Sequence, residues 1–199
     1  MMTGYERYEG MAPKQCVKKT LMYYLCRVPA NRKLIPAVCR IENKKVLDVG
    51  LGSGYYTKLL LDKNTVVGID QNPHLCELPI TVHKGDATEL SSIVQGERFD
   101  VVLSTWMTDY LDPEQVQKFF TEAKAVLNEN GQLITTFPDT YGVGFFYVKA
   151  ARVIRGVKKY TYSKKQIIEK LKTAGFAHIK IVKLNSWLHI PWAYMTVAQ

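Results

Sequence analysis

From residue 44 onward the chain alternates between two periodicities. Short β-branched and aliphatic runs, KVLDVG (45–50), TVVGID (65–70), ITVHKGD (80–86), FDVVLST (99–105) and QLITTFP (132–138), predict strands. Between them YYTKLLLD (55–62) and, more strongly, PEQVQKFFTEAKAVL (113–127) repeat apolar residues at helical spacing. The second run has a start signal in Asp112 as N-cap, Pro113 at the first helical position and Gln115 three residues after the cap; Asn130-Gly131 reads as its stop. Alternating β and α elements of this length predict an α/β fold with a parallel sheet covered by helices on both faces.

The tail breaks the alternation. Ser163 and Gln166 form a candidate capping box for a helix running to Thr173 and ended by Gly175. AHIKIVKLN (177–185) and PWAYMTVA (191–198) then predict two strands joined by SWLHI, too short for a crossover helix, so they pair antiparallel. Ahead of the first strand, a helical stretch from Lys14 to Cys26 leads into a connecting segment containing Pro29 and Pro36. With 199 residues and 47% hydrophobic content the chain closes one core. The expected division is an N-terminal helical segment, 1–43, covering the site of a main domain, 44–199.

Charge sharpens this picture. The net charge is +9, but between Thr140 and Lys183 eleven lysines and arginines face one acid, Glu169, so the remainder is close to neutral. A localised basic region points to a local anionic partner rather than general nucleic-acid coating, and no specific nucleic-acid motif is present. Cys16, Cys26, Cys39 and Cys76 are widely spaced, read as reduced structural thiols, and form no metal-ligand pattern, so no metal is expected. No apolar run is long enough to cross a bilayer and the first residues lack a secretory pattern, which makes a cytoplasmic location the expectation.

The candidate chemistry centres on VLDVGLGSG (46–54), a buried strand running into a turn with Gly50, Gly52 and Gly54. Glycines there permit positive φ and bring backbone close to a ligand. Asp70 ends the second strand twenty residues after Gly50, where a carboxylate can accept hydrogen bonds from ribose hydroxyls. A ligand carrying a nucleoside satisfies both features. The dinucleotide fingerprint G-x-G-x-x-G would need a third glycine where Tyr55 stands, and no P-loop occurs.

Five segments in order resemble the class I S-adenosylmethionine-dependent methyltransferase family, of the small-molecule type: VLDVGLGSG, GIDQNP (68–73), HKGDATEL (83–90), FDVVLSTWMTDYL (99–111) and LNENGQLITTFP (127–138). The closing antiparallel pair is similar to the family's sixth and seventh strands. The resemblance implies a Rossmann-like three-layer sandwich with a seven-stranded, mostly parallel sheet and an antiparallel C-terminal strand. It implies S-adenosylmethionine as cofactor and S-adenosylhomocysteine as product. It also implies that Asp48, Gly50, Gly52 and Gly54 hold the methionine end, with Tyr55 opening the next helix. Asp70 would take the ribose, Gln71, Asp86 and Ala87 the adenine, and Ser104, Thr105 and Trp106 would line the pocket below the sulfonium.

The acceptor is less legible. STWM (104–107) stands where adenine and glutamine N-methylating relatives carry an Asn/Asp-Pro-Pro-Tyr/Phe tetrad, and no cysteine follows Cys76 to serve cytosine C5 chemistry. Trp106, Met107, Tyr110 and Leu111 suggest a small, partly apolar acceptor, with anionic and lipid-like ones both open. His189, between two tryptophans, together with Asp109 and Tyr110, are the candidate catalytic groups; Trp106, Tyr147 and His189 are the candidate acceptor wall. An insertion at 140–162 reads as an amphipathic basic helix, with Phe146, Tyr147, Ala150, Val153, Ile154 and Val157 on one arc and Lys149, Arg152, Arg155 and Lys159 on the opposite, solvated one. Such a helix is either a lid over the pocket or a peripheral membrane contact. The rival reading is a cofactor-binding protein without turnover whose basic helix contacts nucleic acid, membrane or a protein partner; monomer and homodimer both remain open.

Overall fold

The computed structural model describes residues 27–141, 149, 158–187 and 190–199. In chain order these form α1 (Val28–Cys39), β1 (Lys45–Val49), β2 (Thr65–Asp70), β3 (Thr81–Lys84), α2 (Leu90–Val94), β4 (Phe99–Ser104), α3 (Pro113–Val126), β5 (Leu127–Pro138), α4 (Lys164–Thr173), β6 (Ile179–Trp187) and β7 (Ile190–Ala198). The seven strands make one sheet in the order β3-β2-β1-β4-β5-β7-β6. All neighbours from β3 to β5 pair parallel, while β7 runs antiparallel to both β5 and β6. This is the three-layer architecture expected from the resemblance.

Alternation along the strands produces the two outer layers. Leu47, Val49 and Val102 face a core shared with Phe119 and Phe120 of α3 and Ile167 and Leu171 of α4. Val46, Val101 and Leu103 face the other core, with Ala30, Leu34 and Val38 of α1. Strand order reverses between β1 and β4, and their carboxyl ends open the crevice in which ligands of such sheets bind. Among the described residues no helix is long and apolar enough to cross a membrane.

Both predicted capping boxes form: Asp112 accepts from the N–H groups of Glu114 and Gln115, and Ser163 from that of Gln166. Gly175 ends α4 at φ 91°.

Three local expectations change. The segment with Pro29 and Pro36 is α1 rather than a connection. Pro29 sits in the first turn, where it is tolerated. Pro36 lies inside the helix at a cost of about 3 kcal/mol, which complete burial of Ala30, Leu34 and Val38 offsets at about 1.5–3 kcal/mol per large aliphatic side chain.

Second, residues 55–62 form turns around a single 3-10 helix, Thr57–Leu59, not an α-helix. Two tyrosines and a β-branched threonine propagate helix poorly. The Thr57 hydroxyl is also committed to Asp48 at 2.7 Å and the Tyr56 hydroxyl to Asn31 at 2.7 Å.

Third, α3 stops at Val126, because Leu127 turns extended at ψ 147° and pairs at once with Phe99. Gly131 is therefore not a helix cap. It sits in the strand where a Cβ would come 3.0 Å from the Phe99 carbonyl oxygen.

Candidate functional site

A cavity of about 670 Å³ opens at the carboxyl ends of β1 to β4. Its floor comes from the turn after β1, in which Gly50, Gly52 and Gly54 all adopt positive φ, at 71°, 56° and 72°. Gly50 also has no room for a side chain, since a Cβ would meet Met107 Cγ at 2.5 Å. Gly54 is bare for packing: a Cβ there would lie 2.5 Å from Leu78 Cδ1. Gly50 and Gly52 line the cavity, together with Tyr55.

Asp70 closes one side. One carboxylate oxygen accepts from the Gly52 N–H at 2.8 Å and the other from the Asn72 N–H at 2.7 Å, which ties the end of β2 to the glycine turn. Each oxygen keeps a further lone pair for a ligand hydroxyl. Beyond it, Gln71 donates to Asp86 at 2.6 Å, and the other Asp86 oxygen accepts from the Thr88 N–H and hydroxyl, both at 2.8 Å. Gln71, Asp86 and Ala87 all line the cavity.

Asp48 lies beneath the turn, 1% exposed, with one oxygen on Thr57 and the other without a hydrogen-bond partner among the described residues. Burial pushes its carboxyl up to about 7, the Thr57 hydrogen bond opposes the shift and the charge of Asp70 adds to it. Ser104 is likewise buried below the cavity, whereas Thr105 and Trp106 line it.

Trp106 is the strained residue of the site. Its backbone adopts φ 60°, a conformation that costs a non-glycine residue about 1–2 kcal/mol. Three contacts hold it: its N–H on the Thr136 hydroxyl at 2.7 Å, its indole N–H on the Tyr56 hydroxyl at 2.8 Å, and stacking on Trp192 at 5.4 Å. The Arg27 guanidinium lies 5.2 Å from the ring centroid.

Of the candidate catalytic groups, Tyr110 lines the cavity. The Asp109 side chain is buried and forms an ion pair with Lys159, so it points into the wall. Tyr147 and His189 lie outside the described residues, as do Phe146, Ala150, Val153, Ile154, Val157, Arg152 and Arg155 of the predicted amphipathic helix; Lys149 is helical and exposed. Lys159 departs from its expected solvated arc, being 8% exposed, because the ion pair with Asp109 draws it inward. Arg27, Lys158, Tyr160 and Gln115 also line the cavity. They follow from tertiary placement, and no local motif marks them.

A family model described as a methyltransferase domain matches residues 47–135. No curated protein matches the chain as a sequence relative. Among solved structures, an S-adenosylmethionine-dependent methyltransferase from Archaeoglobus fulgidus superposes with TM-score 0.66 at 21% identity, covering 86% of this chain and 92% of its own. A Pyrococcus horikoshii protein gives 0.69 at 20% identity over 98% of each chain. Magnesium protoporphyrin IX methyltransferase from Synechocystis, solved with bound SAH, gives 0.63 at 16% identity over 98% of this chain and 94% of its own. Residues 47–135 are thus similar to a methyltransferase domain, and the chain has the fold of the S-adenosylmethionine-dependent methyltransferases it superposes on.

Proposed function

We propose that the chain binds S-adenosylmethionine in this cavity and transfers its methyl group to a small-molecule acceptor. The observation that carries the reading is Asp70, which joins the bare glycine turn to the end of β2 while facing the cavity. The cradle at Gly50, which a Cβ would fill, fits a ligand pressed on the main chain.

When bound, the cofactor supplies a methyl group on a sulfonium, open to in-line displacement. The chain's own residues bind, orient and exclude water. The backbone of Gly50 and Gly52 seats the amino-acid end above Asp48. Asp70 accepts from the ribose hydroxyls, and Gln71, Asp86 and Ala87 take the adenine edge. Thr105, Trp106, Met107 and Leu111 close the reacting end against water. Trp106 also begins the acceptor wall; Tyr147, His189 and the helical stretch expected from Lys14 to Cys26 lie outside the described residues.

Titration calorimetry with S-adenosylmethionine, S-adenosylhomocysteine and reduced nicotinamide dinucleotide tests the cofactor class, and release of S-adenosylhomocysteine against a metabolite panel tests turnover. Both sulfur nucleosides bind and the nicotinamide does not; a preference for the nicotinamide overturns the reading.

A further inference from the structure

The three residues Lys158, Lys159 and Tyr160 alternate in direction. Lys158 and Tyr160 line the cavity, while Lys159 between them enters the wall. The clamp is Asp109: its carboxylate pairs with the Lys159 ammonium, both side chains at most 5% exposed, and its carbonyl accepts from the Tyr160 N–H at 2.7 Å. The Lys159 ammonium also lies 3.8 Å from the Tyr110 ring centroid. Two attachments to one residue therefore hold Lys158, an exposed residue, at the cavity edge, with its ammonium 5.2 Å from the Tyr160 ring centroid.

We propose that the acceptor is a small aromatic or conjugated molecule bearing a carboxylate, with Lys158 pairing that carboxylate while Tyr110 and Tyr160 flank its ring. The proposal rests on the methyltransferase reading above. The cavity's three acids are engaged by the chain itself: Asp70 by Gly52 and Asn72, Asp86 by Gln71 and Thr88, and Asp112 by Glu114 and Gln115. S-adenosylmethionine, with its sulfonium, ammonium and carboxylate, adds a net positive charge, so an anionic acceptor is favoured beside it.

A phosphate dianion fits less well. The helix N-terminus facing the cavity, that of α3, already has its N–H groups capped by the Asp112 carboxylate, which repels a second anion. The cavity's other cations stand elsewhere, Arg27 over Trp106 and Lys84 at the end of β3, so the ammonium of Lys158 beside Tyr160 matches a monoanion.

The test uses the full chain saturated with S-adenosylhomocysteine. Hydroxybenzoates, indole carboxylates and aliphatic hydroxy acids are titrated, each beside its own primary amide, with phenyl phosphate as a further probe. An aromatic acid binds at least about tenfold tighter than its amide, Lys158→Ala removes the difference, and Lys158→Arg retains it. Where an acid turns over, Lys158→Ala raises its KM about tenfold and leaves kcat within about twofold. Equal binding of acid and amide, no aromatic acid bound, preference for phenyl phosphate, or discrimination that survives in Lys158→Ala overturns the proposal. S-adenosylhomocysteine affinity is measured in every variant: failure of the wild type to bind it sinks the underlying methyltransferase reading instead.

Discussion

Trp106 donates its indole N–H to the Tyr56 hydroxyl at 2.8 Å, and that hydroxyl donates in turn to Asn31 at 2.7 Å. This relay joins the end of β4, the turn after β1 and α1, three segments distant in sequence, at the cavity wall. Tyr56→Phe strands a buried indole donor and a buried amide oxygen, a loss of about 1–3 kcal/mol. For a domain of this size that lowers Tm by about 2–4 °C per kcal/mol, measurable by calorimetry. An unchanged Tm would mean the relay contributes nothing.

Gly50→Ala combines a positive φ of 71° with a Cβ 2.5 Å from Met107 Cγ. The backbone conformation alone costs about 1 kcal/mol or more, and Met107 must move from the cavity wall. Thermal melting falls and S-adenosylmethionine affinity drops at least about tenfold in titration calorimetry. A variant that binds as the wild type would place the methionine end elsewhere.

Asp48 makes stability depend on pH. In the folded chain burial raises its carboxyl from 3.8 to about 7. Between those values the folded state holds a proton that the unfolded chain has lost, so stability falls as pH rises through the window and levels off above it. The full span is at most about 4 kcal/mol. Asp48→Asn keeps an acceptor for Thr57 and removes the titration, so the wild type minus variant difference in unfolding free energy declines from pH 5 to pH 8. A flat difference contradicts the assignment.

Asp109→Asn leaves the Lys159 ammonium buried without its counter-charge, a loss of about 3–5 kcal/mol in urea unfolding. Asp109→Asn combined with Lys159→Met recovers most of it, which a double-mutant cycle reads directly. If the two single losses simply add, the ion pair is not what holds the segment.

Where sequence and fold agree, the information was local. The strand runs, both capping boxes and the glycine turn before Asp70 follow from periodicity and side-chain chemistry within a few residues, and the sheet sets them where they were expected. Where they part, tertiary contacts decide. Pro36 is held in α1 by the burial of Leu34 and Val38, and Leu127 leaves α3 to pair with Phe99. Lys159, assigned to water on helical periodicity, is captured by Asp109 fifty residues away. Trp106 in a left-handed conformation carries no local signal at all, because its supports, Thr136, Tyr56 and Trp192, come from three other segments.

The cavity's identity as a nucleoside sulfonium site is tested most directly by titrating S-adenosylmethionine into the wild type, Asp70→Asn and Asp70→Ala, with thermal melting to confirm that each is folded. Asp70→Ala removes both oxygens offered to the ribose and loses at least about a hundredfold in affinity, and Asp70→Asn, which keeps one acceptor oxygen, falls between. A folded Asp70→Ala that takes up the compound as tightly as the wild type contradicts the account.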